Sequence, residues 1–215
     1  VFGPSIEQAL PEGTSYINFL MAGIIVQTVA FGSTTTAIAV TNDLKKGIID
    51  RFRSLPMSNL AVLNGHVVSD VFRNTISTIV MIIAGFTIGF RPEANTSEWL
   101  QIIGILLVFT LAFSWLSAII GVLAKSIEAV QWLTFVIVFP LTFASSAFVP
   151  TEGMPKYLKL FAENQPITQV VEAIRALILG TPIGNYGWLS IMWSLVILVI
   201  AIPLAALLFK RKSGS

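Results

Sequence analysis

The residues with the most chemistry to offer are His66, Asp70 and Arg73, gathered within two helical turns. A carboxylate beside an imidazole can relay protons, and a carboxylate inside a bilayer can escort an ion. Asp70 and Arg73 stand at i and i+3, near the expected end of a helix and away from its middle. The expectation is therefore a structural pair with His66 at the interface, and proton or ion transport is the rival. Covalent catalysis has less support. There is no cysteine, so thiolate nucleophiles, thiolate zinc sites and disulfides are excluded, and one histidine cannot form an imidazole cluster. No H-E-x-x-H, G-x-S-x-G or G-x-x-x-x-G-K-[ST] occurs. The chain is not expected to be an enzyme, so uphill movement would draw on an ion gradient or on another polypeptide.

Two further groups of residues have informative spacing. Leu44, Ile48, Phe52 and Leu55 recur at helical intervals, with Lys45, Lys46, Asp50 and Arg53 on the remaining surface. Thr41 or Asn42 is placed to cap this short helix and Pro56 to end it. Such a helix either anchors in an anionic lipid surface or docks a soluble partner. In the second group, Thr168, Glu172 and Arg175 share a face of a helix predicted over Ile167 to Leu179, preceded by one over Pro155 to Glu163. Pro155 and Pro166 stand near the starts and Gly180 is the stop. Glu172 and Arg175 are either a solvated surface pair or an outer gate.

The elements that position these residues follow from composition. Of 215 residues 55% are hydrophobic and 11% charged, with a mean hydropathy of +0.84, too apolar for an ordinary water-soluble domain. Gly13 to Asn42, Trp99 to Ala124, Ala129 to Thr151 and Ala176 to Phe209 contain no charged residue, and each exceeds the ~20 residues that cross a bilayer as a helix. Asn74 to Phe90 is shorter and spans only with its first turns near the headgroups. The reading is an all-α polytopic transmembrane bundle in a single domain, 1–215. Its spans are about 17–40, 67–90, 99–123, 129–149 and 188–209, with an inner loop at 41–65 and an outer amphipathic segment at 150–187. Gly85 with Gly89, Ser117 with Gly121, and Ala201 with Ala205 supply small-residue spacings for close helix approach. Pro140 and Pro203 are expected to kink the last two crossings.

Nine of the thirteen Lys and Arg residues fall on one side of this arrangement: Lys45, Lys46, Arg51, Arg53, Arg73, Lys125, Lys210, Arg211 and Lys212. That side is cytoplasmic by the positive-inside bias, which puts the C-terminus inside and the N-terminus outside. A chain beginning at Val1 without a methionine is then expected to be a fragment, or a processed chain, that lacks one earlier crossing; six helices would bring both ends inside. A net charge of +2 spread along the chain gives no nucleic-acid patch.

The run Asp43-Leu44-Lys45-Lys46-Gly47-Ile48-Ile49-Asp50-Arg51-Phe52-Arg53-Ser54-Leu55-Pro56-Met57-Ser58 resembles the cytoplasmic loop of ABC-2 type transporter permeases, particularly the daunorubicin-resistance-like exporter branch. Phe148-Val149-Pro150, Met154-Pro155, Leu158, Ala162, Pro166, Thr168, Val170, Ala173 and Arg175 are similar to the segment before that family's last helix. The resemblance implies a six-helix permease subunit in a bacterial cytoplasmic membrane, paired with a second permease subunit as homodimer or heterodimer. Each permease would be driven by a separate ATP-binding subunit that holds ATP and Mg, with no cofactor on this chain. The cargo would be a hydrophobic or amphipathic drug, lipid or saccharide. By position, the family's coupling helix corresponds to Asp43 through Pro56, and Asp43, Leu44, Gly47, Ile48, Arg51, Phe52, Arg53, Leu55 and Pro56 are its expected ATPase-coupling residues. A channel, a gradient-driven carrier and a membrane scaffold are the alternatives.

Overall fold

The computed structural model describes residues 15–47 and 59–213, and every regular element among them is helical. The helices are α1 (Tyr16–Gly32), α2 (Thr34–Lys45), α3 (Asn59–Thr87), α4 (Thr96–Leu123), α5 (Ile127–Phe143), α6 (Lys156–Asn164), α7 (Pro166–Ile178) and α8 (Tyr186–Ser213), with a 3-10 turn at Thr151–Gly153. Four stretches are long and apolar enough to cross a membrane: Tyr16–Lys45, Leu60–Thr87, Thr96–Leu123 and Tyr186–Lys212. Helix α5 is apolar but has 17 residues. The architecture is a polytopic helical bundle.

Local chemistry accounts for the helix boundaries. Asn95, the first residue of an Asn-Thr-Ser sequon, begins α4 through a reciprocal cap: its Oδ1 accepts from the Glu98 amide at 3.0 Å, and Glu98 Oε2 accepts from the Asn95 amide at 2.7 Å. Ser126 caps α5 by accepting from the Ala129 amide at 3.1 Å. Pro166 occupies the first turn of α7, where a missing N–H costs nothing. Gly180, at φ +63°, supplies the left-handed residue just past that helix.

Helix α4 is the central post, packed against α8, α2, α3 and α7. Ala201 and Ala205 of α8 are fully buried in the cluster that holds Trp115 and Val122 of α4, so small side chains set the closeness of that pair. Gly121 does the same for α2, since a Cβ there would overlap the Ala37 carbonyl oxygen. Gly89 does not extend the Gly85 spacing along a helix: it lies beyond α3 at φ +104° and is a turn residue. The outward faces of α3 and α8 carry Phe72, Ile76, Val199 and Leu207, all exposed and apolar, as expected of surfaces bathed in hydrocarbon.

Several expected boundaries change. The first crossing is not one helix: α1 and α2 meet at Ser33, whose hydroxyl donates to Val29 O. Thr41 and Asn42 are not caps, because α2 runs through them to Lys45, and the Thr41 hydroxyl is engaged with Ala37 O and, across the helix pair, with Gly121 O at 2.8 Å. Asp43 and Leu44 therefore close α2 and do not open a new helix. Gly47, at φ +63°, follows that end. Helix α3 already runs from Asn59, inside the segment expected as loop. Helix α5 stops at Phe143, six residues short of the expected span.

Candidate functional site

At the end of the bundle that carries Lys45 and Lys212, two side chains close the base of the segment between α2 and α3. Asp43 Oδ2 from the last turn of α2 lies 2.9 Å from His66 Nε2 on α3. Both are about a quarter exposed, so the pair is partly shielded from solvent. The crevice beside it, between Val40, Leu63 and Phe209, has no room for a water-sized molecule, which leaves the pair as a joint between helices and no place for a substrate. Leu44 packs on the same apolar cluster as Leu63. Lys212 from α8 reaches the carbonyls of Val122 and Ala124 and so covers the C-terminal end of α4. Of the expected coupling residues, Asp43, Leu44 and Gly47 are described; Ile48, Arg51, Phe52, Arg53, Leu55 and Pro56 lie outside the described residues.

One turn further along α3, Asp70 is completely buried. A carboxylate there needs several donors to offset its desolvation. It has them: Thr35 Oγ1 of α2 donates at 3.0 Å, the Ser114 hydroxyl of α4 donates to its second oxygen, and Arg73 Nη1 stands 3.5 Å away. Arg73 also donates to the Thr35 hydroxyl. The expected pairing of Asp70 with Arg73 holds. The node is nevertheless larger than that pair, because it ties three helices together through residues 35 and 44 positions distant.

The opposite end is organised by the blunt end of α5. A helix that stops inside a protein leaves its last carbonyls without partners. Here Gln165 Nε2 donates to Leu141 O at 2.7 Å and to Ala144 O at 3.2 Å, and the Ser145 hydroxyl donates to Thr142 O. Arg175 Nη2 reaches Ser146 O at 2.7 Å. Helix α7, which carries Gln165 at its N-cap and Arg175 in its last turn, thus wedges between α1, α4 and α8 and completes a buried helix end.

Arg175 is 5% exposed. Its guanidinium pairs with Glu172, stacks 3.6 Å over the Phe19 ring and approaches Phe19 O. The solvated-pair expectation is thereby corrected for Arg175, while Glu172 remains about a quarter exposed. Gly23 permits this packing: any Cβ there would overlap the Ala147 carbonyl. Sequence reasoning found Glu172 and Arg175 but missed Gln165, whose only advance sign was its place before Pro166. Among the described residues no cluster of His, Asp or Glu could hold a metal ion.

Residues 1–179 match the family described as ABC-2 type transporter. The chain belongs to the ABC-2 type transporter family. Over its whole length it is 29% identical to 75% of the daunorubicin resistance ABC transporter permease protein DrrB1 of Streptomyces coeruleorubidus. Over 81% of its length it is 24% identical to 63% of the probable doxorubicin resistance ABC transporter permease protein DrrC of Mycobacterium tuberculosis. The putative transport permease ycf38 of Porphyra purpurea is 30% identical over 75% of this chain and 56% of its own length. The chain thus spans between 56% and 75% of these relatives. In this ABC-2 chain the matched region takes in both joints described above and the whole of α7.

Proposed function

We propose that this chain is the membrane-spanning subunit of an ATP-driven exporter in a bacterial cytoplasmic membrane, with its C-terminus in the cytosol. It works beside a second permease subunit and takes its energy from a separate ATPase that binds ATP and Mg. Family membership carries this reading, and the names of the drug-resistance permeases to which the chain is similar agree with it. The cargo is hydrophobic or amphipathic, as suits a bundle whose cavity between α3 and α4 is lined, among the described residues, by apolar and uncharged polar side chains.

Asp43 to Pro56 is the lever in this reading. Asp43 and His66 clamp its two flanks, so a push on the segment is delivered to α2 and α3 together, and through Asp70 to α4. ATP does work only if the two permease conformations bind the ATPase with different affinity. Glu172 and Arg175 are the outer gate: Arg175 holds α7 against α1 and the end of α5, and Glu172 is the partner nearer solvent.

The test is reconstitution of the full-length protein with the ATPase encoded beside it. Export should require ATP and should disappear when Asp43 to Pro56 is replaced by a flexible linker while the proteins still fold. Ion-coupled flux without any ATPase would overturn the reading.

A further inference from the structure

Between α3 and α4, with Val29 of α1 at its back, lies a cavity of about 300 Å³. That is the lower edge of the range in which proteins hold small organic ligands, and about the volume of ten waters. Among the described residues no charged side chain lines it. Asp70 and Arg73, which flank the lining residue Asn74 on α3, are joined to each other in the three-helix node. An ionised group would enter the cavity without a counter-charge.

Four polar residues interrupt the apolar wall, and their hydrogen bonds separate them. Thr75 donates to Val71 O and Thr110 to Leu106 O, each within its own helix. Asn74, 2% exposed, donates once, to Asp70 O at 3.2 Å. Thr78, 8% exposed, has no hydrogen-bond partner among the described residues. The cavity thus presents a buried hydroxyl and a partly used amide, one turn apart on α3, in an otherwise greasy space. A ligand oxygen in the cavity could therefore accept from the Thr78 hydroxyl without displacing a hydrogen bond among the described residues. The outer wall is made by Ile79, Ile103 and Leu107, all exposed and apolar, so the opening lies on an apolar outer face of the chain.

We propose that this cavity binds an uncharged amphiphile that arrives from the membrane, its apolar body filling the space between α3 and α4 and one hydroxyl or carbonyl oxygen meeting Thr78 and Asn74. Assigning that occupant as exporter cargo rests on the exporter reading; the binding itself does not. A bilayer lipid has the same apolar body but brings a charged or zwitterionic head, which this lining cannot match.

The experiment is photolabelling of the full-length protein in lipid nanodiscs without ATPase, with crosslinks located by mass spectrometry. The probes are a diazirine fatty alcohol, its alkane and alkylammonium counterparts, and a diazirine phosphatidylcholine. The alcohol should label Ile79, Trp99 or Ile103 saturably, and the other three should label the open faces at Phe72 and Val199 without saturating at the cavity. Thr78→Val should weaken saturable labelling roughly 3- to 10-fold, the effect of one hydrogen bond, while Thr75→Val should leave it unchanged. Ile103→Phe, which narrows the opening, should reduce it independently of any polar group. Equal cavity labelling by phosphatidylcholine with no effect of Thr78→Val would make the space a lipid-filled crevice and overturn the proposal, as would absence of cavity labelling by every probe. Saturable labelling without ATP-coupled export would sink the exporter reading and leave the site standing. Coupled export without saturable labelling would do the reverse.

Discussion

At the end that carries Asp43 and His66 the helices are joined by pairs of side chains as well as by the carbonyl contacts of Thr41 and Lys212, whereas at the end that carries Arg175 they are joined mainly side chain to backbone. Asp43 meets His66, and Asp70 meets Thr35, Ser114 and Arg73. Gln165 and Ser145 instead serve carbonyls that α5 leaves open where it stops, and Arg175 serves the Ser146 carbonyl just beyond. A side-chain joint between two helices can part and reform with little change in either helix. An orphaned carbonyl inside a bundle cannot be abandoned so cheaply. In the exporter reading the first end would pass on movement, while the second would open only if α7 and the end of α5 move together, so variants at the two ends should fail in different ways.

The largest loss is expected at the second end. Arg175→Met strips Ser146 O of its donor and leaves Glu172 without its partner, which should lower stability by about 3 kcal/mol or more. Thermal unfolding in detergent measures it. Arg175→Lys should recover only part, since one ammonium cannot reach Glu172 and Ser146 O in the geometry of a planar fork. Gly23→Leu should be of similar severity because the clash is with backbone.

Next comes the three-helix node. Asp70→Ala leaves two hydroxyls and a guanidinium facing an empty space, with an expected cost of about 2–4 kcal/mol. Asp70→Asn keeps the shape and should cost less. The same thermal measurement compares them, and equal effects of the two would mean that charge, and not hydrogen-bond count, holds the node.

The joint at His66 is expected to separate stability from coupling. His66→Ala should change stability by about 1 kcal/mol or less, since the pair is partly exposed. It should nonetheless weaken cargo-stimulated ATP hydrolysis in the reconstituted complex while basal hydrolysis continues. If basal and stimulated rates fall together, the joint is only structural and the contrast between the two ends is blunted. The smallest effect is expected for Ser126→Ala, which removes the α5 cap without removing a member of either joint and should cost about 1 kcal/mol without altering coupling.

Much of the fold was legible because charge-free tracts longer than a bilayer crossing admit few readings, and because Pro166 and Gly180 bracket α7 by chemistry that is local. What escaped was everything decided by a distant partner. Thr41 has the right type for a cap, but the Gly121 carbonyl 80 positions away engages its hydroxyl within a continuing helix. Thr35 and Ser114 look like ordinary helix residues until α2, α3 and α4 bring them to Asp70. Arg175 reads as a surface charge from its spacing with Glu172, and only the distant Phe19 of α1 and the backbone just past α5 explain its burial. Helix α5 itself was overestimated because hydropathy continues through Leu141 to Phe148 while the backbone turns at Ser145 and Ser146.

With no cysteine in the chain, one introduced thiol reports on one place. The decisive measurement is reaction of Arg53→Cys with a membrane-impermeant maleimide, in intact cells and in inverted vesicles, with and without the ATPase. Labelling confined to inverted vesicles and blocked by the ATPase is the predicted result. Labelling of intact cells, or labelling in inverted vesicles that the ATPase leaves untouched, would contradict the claim that this segment is the handle by which a cytosolic motor drives the bundle.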